Sequence, residues 1–131
     1  MDPLASITVG KQGTTSVLVT EELTVRHFMP QMPAVYGTPM MIFLMEIAST
    51  KAIHPFLPEG WLSVGAEVNI RHLAATPVGR TVTATAVVTA IDGRSISFNV
   101  EAHDGVRKIG EGTHVRGVID VRKFEERLRQ G

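Results

Sequence analysis

The chain contains no cysteine, which excludes disulfides, thiolate metal sites and a cysteine nucleophile. It also lacks net charge: thirteen basic side chains are matched by thirteen acidic ones. It therefore carries no overall electrostatic footprint of a nucleic-acid binder, and none is expected as a partner. No apolar run is long enough to span a bilayer, because Glu46 interrupts the greasiest stretch, Pro39 to Met45. The opening MDPLASITVG has an early Asp and neither a basic nor an apolar leader region, so it does not read as a secretory signal. The expectations are no membrane segment and a cytoplasmic location, the default. Repeats and low-complexity tracts are missing as well.

What is present is 131 residues that are 44% hydrophobic and 20% charged, the profile of one globular domain spanning residues 1–131. Thr14 to Thr20 is short and β-branched and suggests a first strand. An irregular connection through Pro30 and Pro33 leads to a long apolar helix over Pro39 to Ile53. Thr38 suits its N-cap, Pro39 suits its first turn, and Pro55 should end it.

From Leu62 onward the period is two. Val64, Ala66, Val68, Ile70 and His72 fall on one side of a strand, and Glu67, Asn69 and Arg71 on the other. A Thr/Val/Ala strand over Thr81 to Ile91 meets the hairpin signal Asp92-Gly93 and returns as Arg94 to His103. Asp104-Gly105 turns the chain into Lys108 to Asp120, where Gly110, Gly112 and Gly117 suggest bulges or close backbone approach. A short amphipathic helix over Val121 to Arg129 closes the chain. One long helix, apolar on more than one side, followed by a meander of strands gives an α+β domain. A curved antiparallel sheet wrapped around that central helix is the shape of a hotdog fold.

Two residues stand out chemically. Glu46 is the only charged side chain of the apolar helix before Lys51, and a carboxylate buried there needs a hydrogen bond, a counter-charge or a proton. His72 ends a strand with its side chain on the apolar side. The two are expected to converge on a shared cavity. The plain alternatives are a solvated stripe for Glu46 with Ser49 and Thr50, and a backbone-satisfied ring for His72. His27, His54, His103 and His114 lack metal-ligand spacing and are assigned no chemistry.

Four stretches resemble one family. They are Thr24-Val25-Arg26-His27, Leu44-Met45-Glu46-Ile47-Ala48, His72 through Gly79, and Ala102-His103-Asp104-Gly105 with Ile109 through His114. In that order and spacing the chain resembles the fluoroacetyl-CoA thioesterase group of hotdog proteins, from about Thr24 to the C-terminal helix. The resemblance implies hydrolysis of a short acyl-CoA thioester with a threonine, glutamate and histidine set, which falls on Thr38, Glu46 and His72. It further implies substrate-binding roles for Val25, Gly65 and Arg116, and a homodimer with sites near the subunit interface. Neither a metal nor a cofactor is implied. The segment between Thr24 and Thr38 is shorter than the family pattern and lacks its phenylalanine-bearing lid, which implies weaker selection of a fluorinated acyl group.

Some alternatives stay open on sequence alone. Eight residues of helix span about 12 Å, so Thr38 cannot touch Glu46 of its own chain if the helix starts there. Thr38 is then a cap, or it serves the site of the partner subunit. Arg116 is either a holder of a CoA phosphate or carbonyl, or a solvated strand residue. A non-catalytic acyl-CoA or small-ligand binding module is the rival function, and a hydratase is a weaker one, for want of an Asp-His pair.

Overall fold

The computed structural model describes residues 2–131. Its strands are β1 (Gln12–Leu18), β2 (Trp61–His72), β3 (Thr81–Asp92), β4 (Ser95–His103) and β5 (Lys108–Asp120), and its helices α1 (Val25–Phe28), α2 (Thr38–Ile53) and α3 (Val121–Gln130). The five strands form one antiparallel sheet in the order β1-β3-β4-β5-β2, with β1 and β2 at its edges. The sheet curls around α2, which packs against β1, β3, β4 and β2.

Alternation builds the inner wall. Val82, Ala84, Ala86 and Val88 of β3, and Ile96, Phe98, Val100 and Ala102 of β4, are buried against Met41, Met45, Ala48, Ala52 and Ile53 of α2. Small residues let helix and sheet approach closely. A Cβ on Gly13 would run into the Ala48 carbonyl and the Ala52 amide of α2, and one on Gly110 would meet Met41 Sδ at 2.5 Å. Asp92-Gly93 makes the β3–β4 hairpin, with Gly93 at φ +60°.

The structure corrects three expectations. β1 begins two residues early and stops before Val19, whose N–H already bonds the Arg80 carbonyl at the loop before β3. Gly117 makes no close approach, since nothing lies within 4 Å of where its Cβ would be. The third matters for the site: β2 carries a bulge, its register on β5 shifting between Gly65 and Glu67. One extra residue flips the parity of the strand. Val68, Ile70 and His72 share the inner face with His114, Gly112 and Gly110, their partners on β5. Val64, before the bulge, pairs with Gly117 and falls on the outer face, while Ser63 and Gly65 turn inward with Val118 and Arg116.

The loop from Leu73 to Arg80 is pinned by one buried carboxylate. Asp104 accepts hydrogen bonds from Val106 N–H (2.9 Å), Arg107 N–H (3.0 Å), the Thr76 hydroxyl (2.9 Å) and Arg80 Nη1 (3.0 Å). Thr76 in turn accepts the Tyr36 N–H at 2.8 Å, which ties this loop to the entry of α2. Among the described residues no helix is long and apolar enough to cross a membrane.

Candidate active site

Thr38 is not the helix cap. Gly37 occupies the N-cap position of α2 without a side-chain bond, which leaves the Thr38 hydroxyl available, and its Oγ1 lies 2.7 Å from His72 Nδ1. His72 reaches it as the last residue of β2, paired with Gly110, while the next N–H, of Leu73, bonds the Ile109 carbonyl at 2.7 Å. The other ring nitrogen, Nε2, is buried and has no partner among the described residues. Burial holds the His72 pKa below the ordinary histidine value, offset in part by the nearby Ala74 backbone. The pair opens into a cleft of about 390 Å³ lined by Val25, Val35, Tyr36 and Ala74. Tyr36 is fully inside, and burial pushes its phenol up to about 12.

Glu46 sits just over two turns further along α2, in a different cluster. Its Oε2 lies 3.2 Å from Arg116 Nη1 and 3.7 Å from His114 Nε2, and its side chain is 31% exposed. The solvated-stripe alternative therefore fails, and so does the solvated reading of Arg116, which is buried. The guanidinium is heavily engaged: Nε donates to Ser63 Oγ (2.8 Å), Nη2 to the Ser63 carbonyl (2.9 Å), and Nη1 to Glu46 Oε2 and His114 Nε2 (3.2 Å each). Four of the five N–H donors of an arginine are thus spent inside the chain.

The hydrogen bonds also assign the imidazoles. His114 Nδ1 must donate to the Glu67 carbonyl at 2.8 Å, so its Nε2 accepts from Arg116. His54 Nε2 accepts the Ser63 N–H at 3.1 Å and lies 2.6 Å from Ser63 Oγ, whose proton points to it because that oxygen already accepts from Arg116. Both rings are neutral. Burial lowers both pKa values, and the Arg116 charge adds to this. Gly65 completes the cluster: a Cβ there would lie 2.5 Å from Glu46 Oε2 and would push the carboxylate off its Arg116 contact.

The six residues singled out from sequence thus fall into two groups. Thr38, His72 and Val25 form one, and Glu46, Gly65 and Arg116 the other. Within one chain no hydrogen bond or ion pair joins Glu46 to His72; their partners are Arg116 and Thr38 instead. His114, Ser63 and His54 escaped the sequence reading. The usable signal was parity: Gly110, Gly112, His114 and Arg116 share one face of β5, opposite the inner residues of β2.

Three partly or fully buried histidines with lowered pKa values, His54, His72 and His114, set a pH dependence. Between their folded values and about 6.5 the unfolded chain binds more protons than the folded one, so stability falls as pH drops through that window. Each excess proton costs about 1.4 kcal/mol per pH unit. Thermal melts should show Tm constant above pH 7 and declining from about pH 6.5 downward. A Tm flat down to pH 5 would mean that these histidines are not depressed in the folded protein.

The chain is similar to known proteins over most of its length. The family model for fluoroacetyl-CoA-specific thioesterases matches residues 19–122. The fluoroacetyl-CoA thioesterase of Streptantibioticus cattleyicolor is 43% identical over 128 residues, covering 93% of this chain and 92% of that protein. A solved structure of a fluoroacetyl-CoA-specific thioesterase variant in complex with fluoroacetate and CoA superposes with a TM-score of 0.83 at 43% identity, over 90% of this chain and 99% of the other. A hot-dog-like protein from Thermanaerovibrio acidaminovorans, 24% identical over 99% of this chain and 96% of its own, superposes at a TM-score of 0.87 and speaks for the fold alone.

Proposed function

Since the chain belongs to the family of fluoroacetyl-CoA-specific thioesterases and is a hotdog-fold thioester hydrolase acting on acyl-CoA, we propose that it works as a homodimer whose active sites are shared between subunits. In each site Thr38 and His72 of one protomer meet Glu46 of the partner subunit. The observation that carries this reading is the pair of unfinished halves in one chain. Among the described residues His72 Nε2 is buried without a partner, and Glu46 is held through Oε2, with no bond to Oε1. Eight residues of helix keep Thr38 and Glu46 of one chain about 12 Å apart, a gap that the second copy closes in this reading.

The surface around Glu46 supports the assembly. Phe43 is 61% exposed on α2, and on β2, an edge strand, Val68 is exposed on the inner face and Leu62 and Val64 on the outer one. Exposed apolar side chains along an unpaired strand edge call for a partner, and a two-fold copy is the economical one.

In the proposed mechanism Arg116 holds Glu46 Oε2, and Oε1 either attacks the thioester carbonyl or takes a proton from water. A backbone N–H at the Gly65 bulge, where the strand ladder is interrupted, serves the oxyanion. Val25 lines the acyl cleft. His72, with Nδ1 fixed by Thr38, presents Nε2 to the departing CoA thiolate. The reading covers residues 1–131 as one domain, the cytoplasm as its compartment, and a short acyl group. The segment before Thr38 closes tightly on itself, with Val25 N–H bonded to the Val35 carbonyl at 2.9 Å, so fluoroacetyl-CoA should gain little over acetyl-CoA.

Mixing inactive subunits tests the shared site. Glu46→Ala chains refolded with an equal amount of His72→Ala chains form heterodimers with one intact and one doubly damaged site. Thiol release should return to about a quarter of the wild-type rate. No recovery, in mixtures shown to exchange subunits, would place all the catalytic groups in one chain. A single turnover in heavy-oxygen water then separates the two routes, since label entering Glu46 marks an anhydride.

A further inference from the structure

His54, to which spacing assigns no chemistry, stands at the far end of a chain of hydrogen bonds that leads to Glu46. It is the C-cap of α2: its N–H bonds the Thr50 carbonyl, and its own carbonyl accepts the Leu57 N–H at 3.2 Å. The backbone that carries the ring is therefore held on both sides. Glu46 lies eight residues back along the chain, about 12 Å along the helix axis, so the ring reaches the carboxylate only through other groups.

Those groups are Ser63 and Arg116. One ring nitrogen of His54, Nε2, accepts from the N–H of Ser63 at 3.1 Å and from its hydroxyl at 2.6 Å. Ser63 is 6% exposed and faces inward just ahead of the bulge in β2. With its proton committed to His54, Ser63 Oγ turns a lone pair to Arg116 Nε at 2.8 Å, while the Ser63 carbonyl takes Nη2 at 2.9 Å. Two acceptors of one residue thus grip the guanidinium from one side. Because the guanidinium is planar and rigid, that grip also aims Nη1 at Glu46 Oε2, 3.2 Å away.

The arrangement works in one protonation state of the ring. If Nε2 carried a hydrogen, the Ser63 N–H would face a second donor, and the Ser63 hydroxyl, already accepting from Arg116, would lose the acceptor for its proton. Burial and the Arg116 charge both hold the His54 pKa below the ordinary histidine value, which keeps that lone pair available. A residue that only filled space at the end of α2 would need no lone pair. The guanidinium does need it, because without it the orientation of the Ser63 hydroxyl is no longer specified.

We propose that His54 is a positioning residue for the hydrolysis: through Ser63 it sets the Arg116 fork, and through that fork it sets the pose of Glu46. The proposal rests on the thioesterase reading and extends it to a group that does not touch the substrate.

Two replacements separate the lone pair from the bulk of the ring. His54→Phe keeps a planar ring and removes the acceptor, whereas His54→Gln brings a neutral amide oxygen near the place of Nε2. In His54→Phe, kcat for thiol release from an acyl-CoA should fall about tenfold or more, with KM changed by less than about twofold. His54→Gln should recover most of that loss. Combined with Ser63→Ala, His54→Phe should add nothing to the loss that Ser63→Ala causes alone, because both break the same link. His54→Ala takes the place of His54→Phe if the latter fails to fold. Wild-type kcat in the variant without the acceptor, equal losses with and without the glutamine oxygen, or losses that multiply in the double variant would each overturn the proposal. Hydrogen exchange at Arg116 Nε–H, followed by NMR, needs no turnover. It should quicken about tenfold in His54→Phe and slow again in His54→Gln. If the wild type cleaves no thioester, the thioesterase reading falls by itself, whereas an Arg116 exchange rate unmoved by His54→Phe would sink the positioning link.

Discussion

Replacing Glu46 by glutamine should lower kcat for thiol release from acyl-CoA by about a hundredfold or more, with KM changed far less. Glutamine keeps the shape and leaves a carbonyl for the Arg116 Nη1 bond that now reaches Oε2 at 3.2 Å. What it removes is the anionic oxygen, and with it either the nucleophile or the base. The packing around the position should tolerate the change, because the side chain is 31% exposed and Gly65 leaves room for it. A folded Glu46→Gln protein with wild-type turnover would mean that the Arg116–Glu46 pair is only structural. Ser63→Ala is the informative companion. It deletes the hydroxyl that accepts from Arg116 Nε and donates to His54, so it should lower kcat through a misplaced Glu46 while leaving the carboxylate intact.

Asp104→Ala should produce the largest loss of stability, roughly 3–5 kcal/mol, the range for breaking a buried charge pair from one side. For a chain of this size that corresponds to a fall in Tm of roughly 10–20 °C. The carboxylate has a side-chain exposure of 0%, and its removal leaves two backbone N–H groups, a buried Thr76 hydroxyl and Arg80 without their acceptor. Burial by itself would raise the Asp104 pKa, but the N–H groups of Arg107 and Val106, then Thr76 and Arg80, overrule it and hold the carboxyl well below the usual range. The stability it supplies is thus complete above its unfolded pKa, about 3.9, and is lost as pH falls toward the depressed folded value. At neutral pH the gap between wild type and Asp104→Ala should be full, and it should shrink only in strong acid. A melting difference under 1 kcal/mol would show that the turn holds without its carboxylate. Activity should suffer too, because Thr76 links this turn to Tyr36 and so to the Thr38–His72 pair.

Much of this molecule is legible in the amino-acid order because each element reports its own period. β5 appears with the same limits in sequence and structure, Lys108 to Asp120, and the Asp-Gly turns fall where glycine is needed at positive φ. Glu46 betrays itself as a lone charge in an apolar helix. The bulge at Gly65 leaves no such trace. Reading β2 as an unbroken alternation puts Val64 inside, and one inserted residue reverses it. Thr38 before Pro39 reads as a cap, yet Gly37 takes that position and the Thr38 hydroxyl meets His72 instead. His114 gives no signal in its spacing because its importance lies in what the fold brings to it, the Glu67 carbonyl, Arg116 and Glu46.

The order of residues alone fixed the periods, the turns and the placement of a carboxylate and an imidazole on inward-facing positions, since these depend on neighbours within a few residues. Only the folded sheet decided what each of them touches. Glu46 finds Arg116 seventy positions away, and Thr38 finds His72 thirty-four positions away. Such pairings depend on strand register and on where α2 crosses the sheet, and no local pattern encodes that crossing.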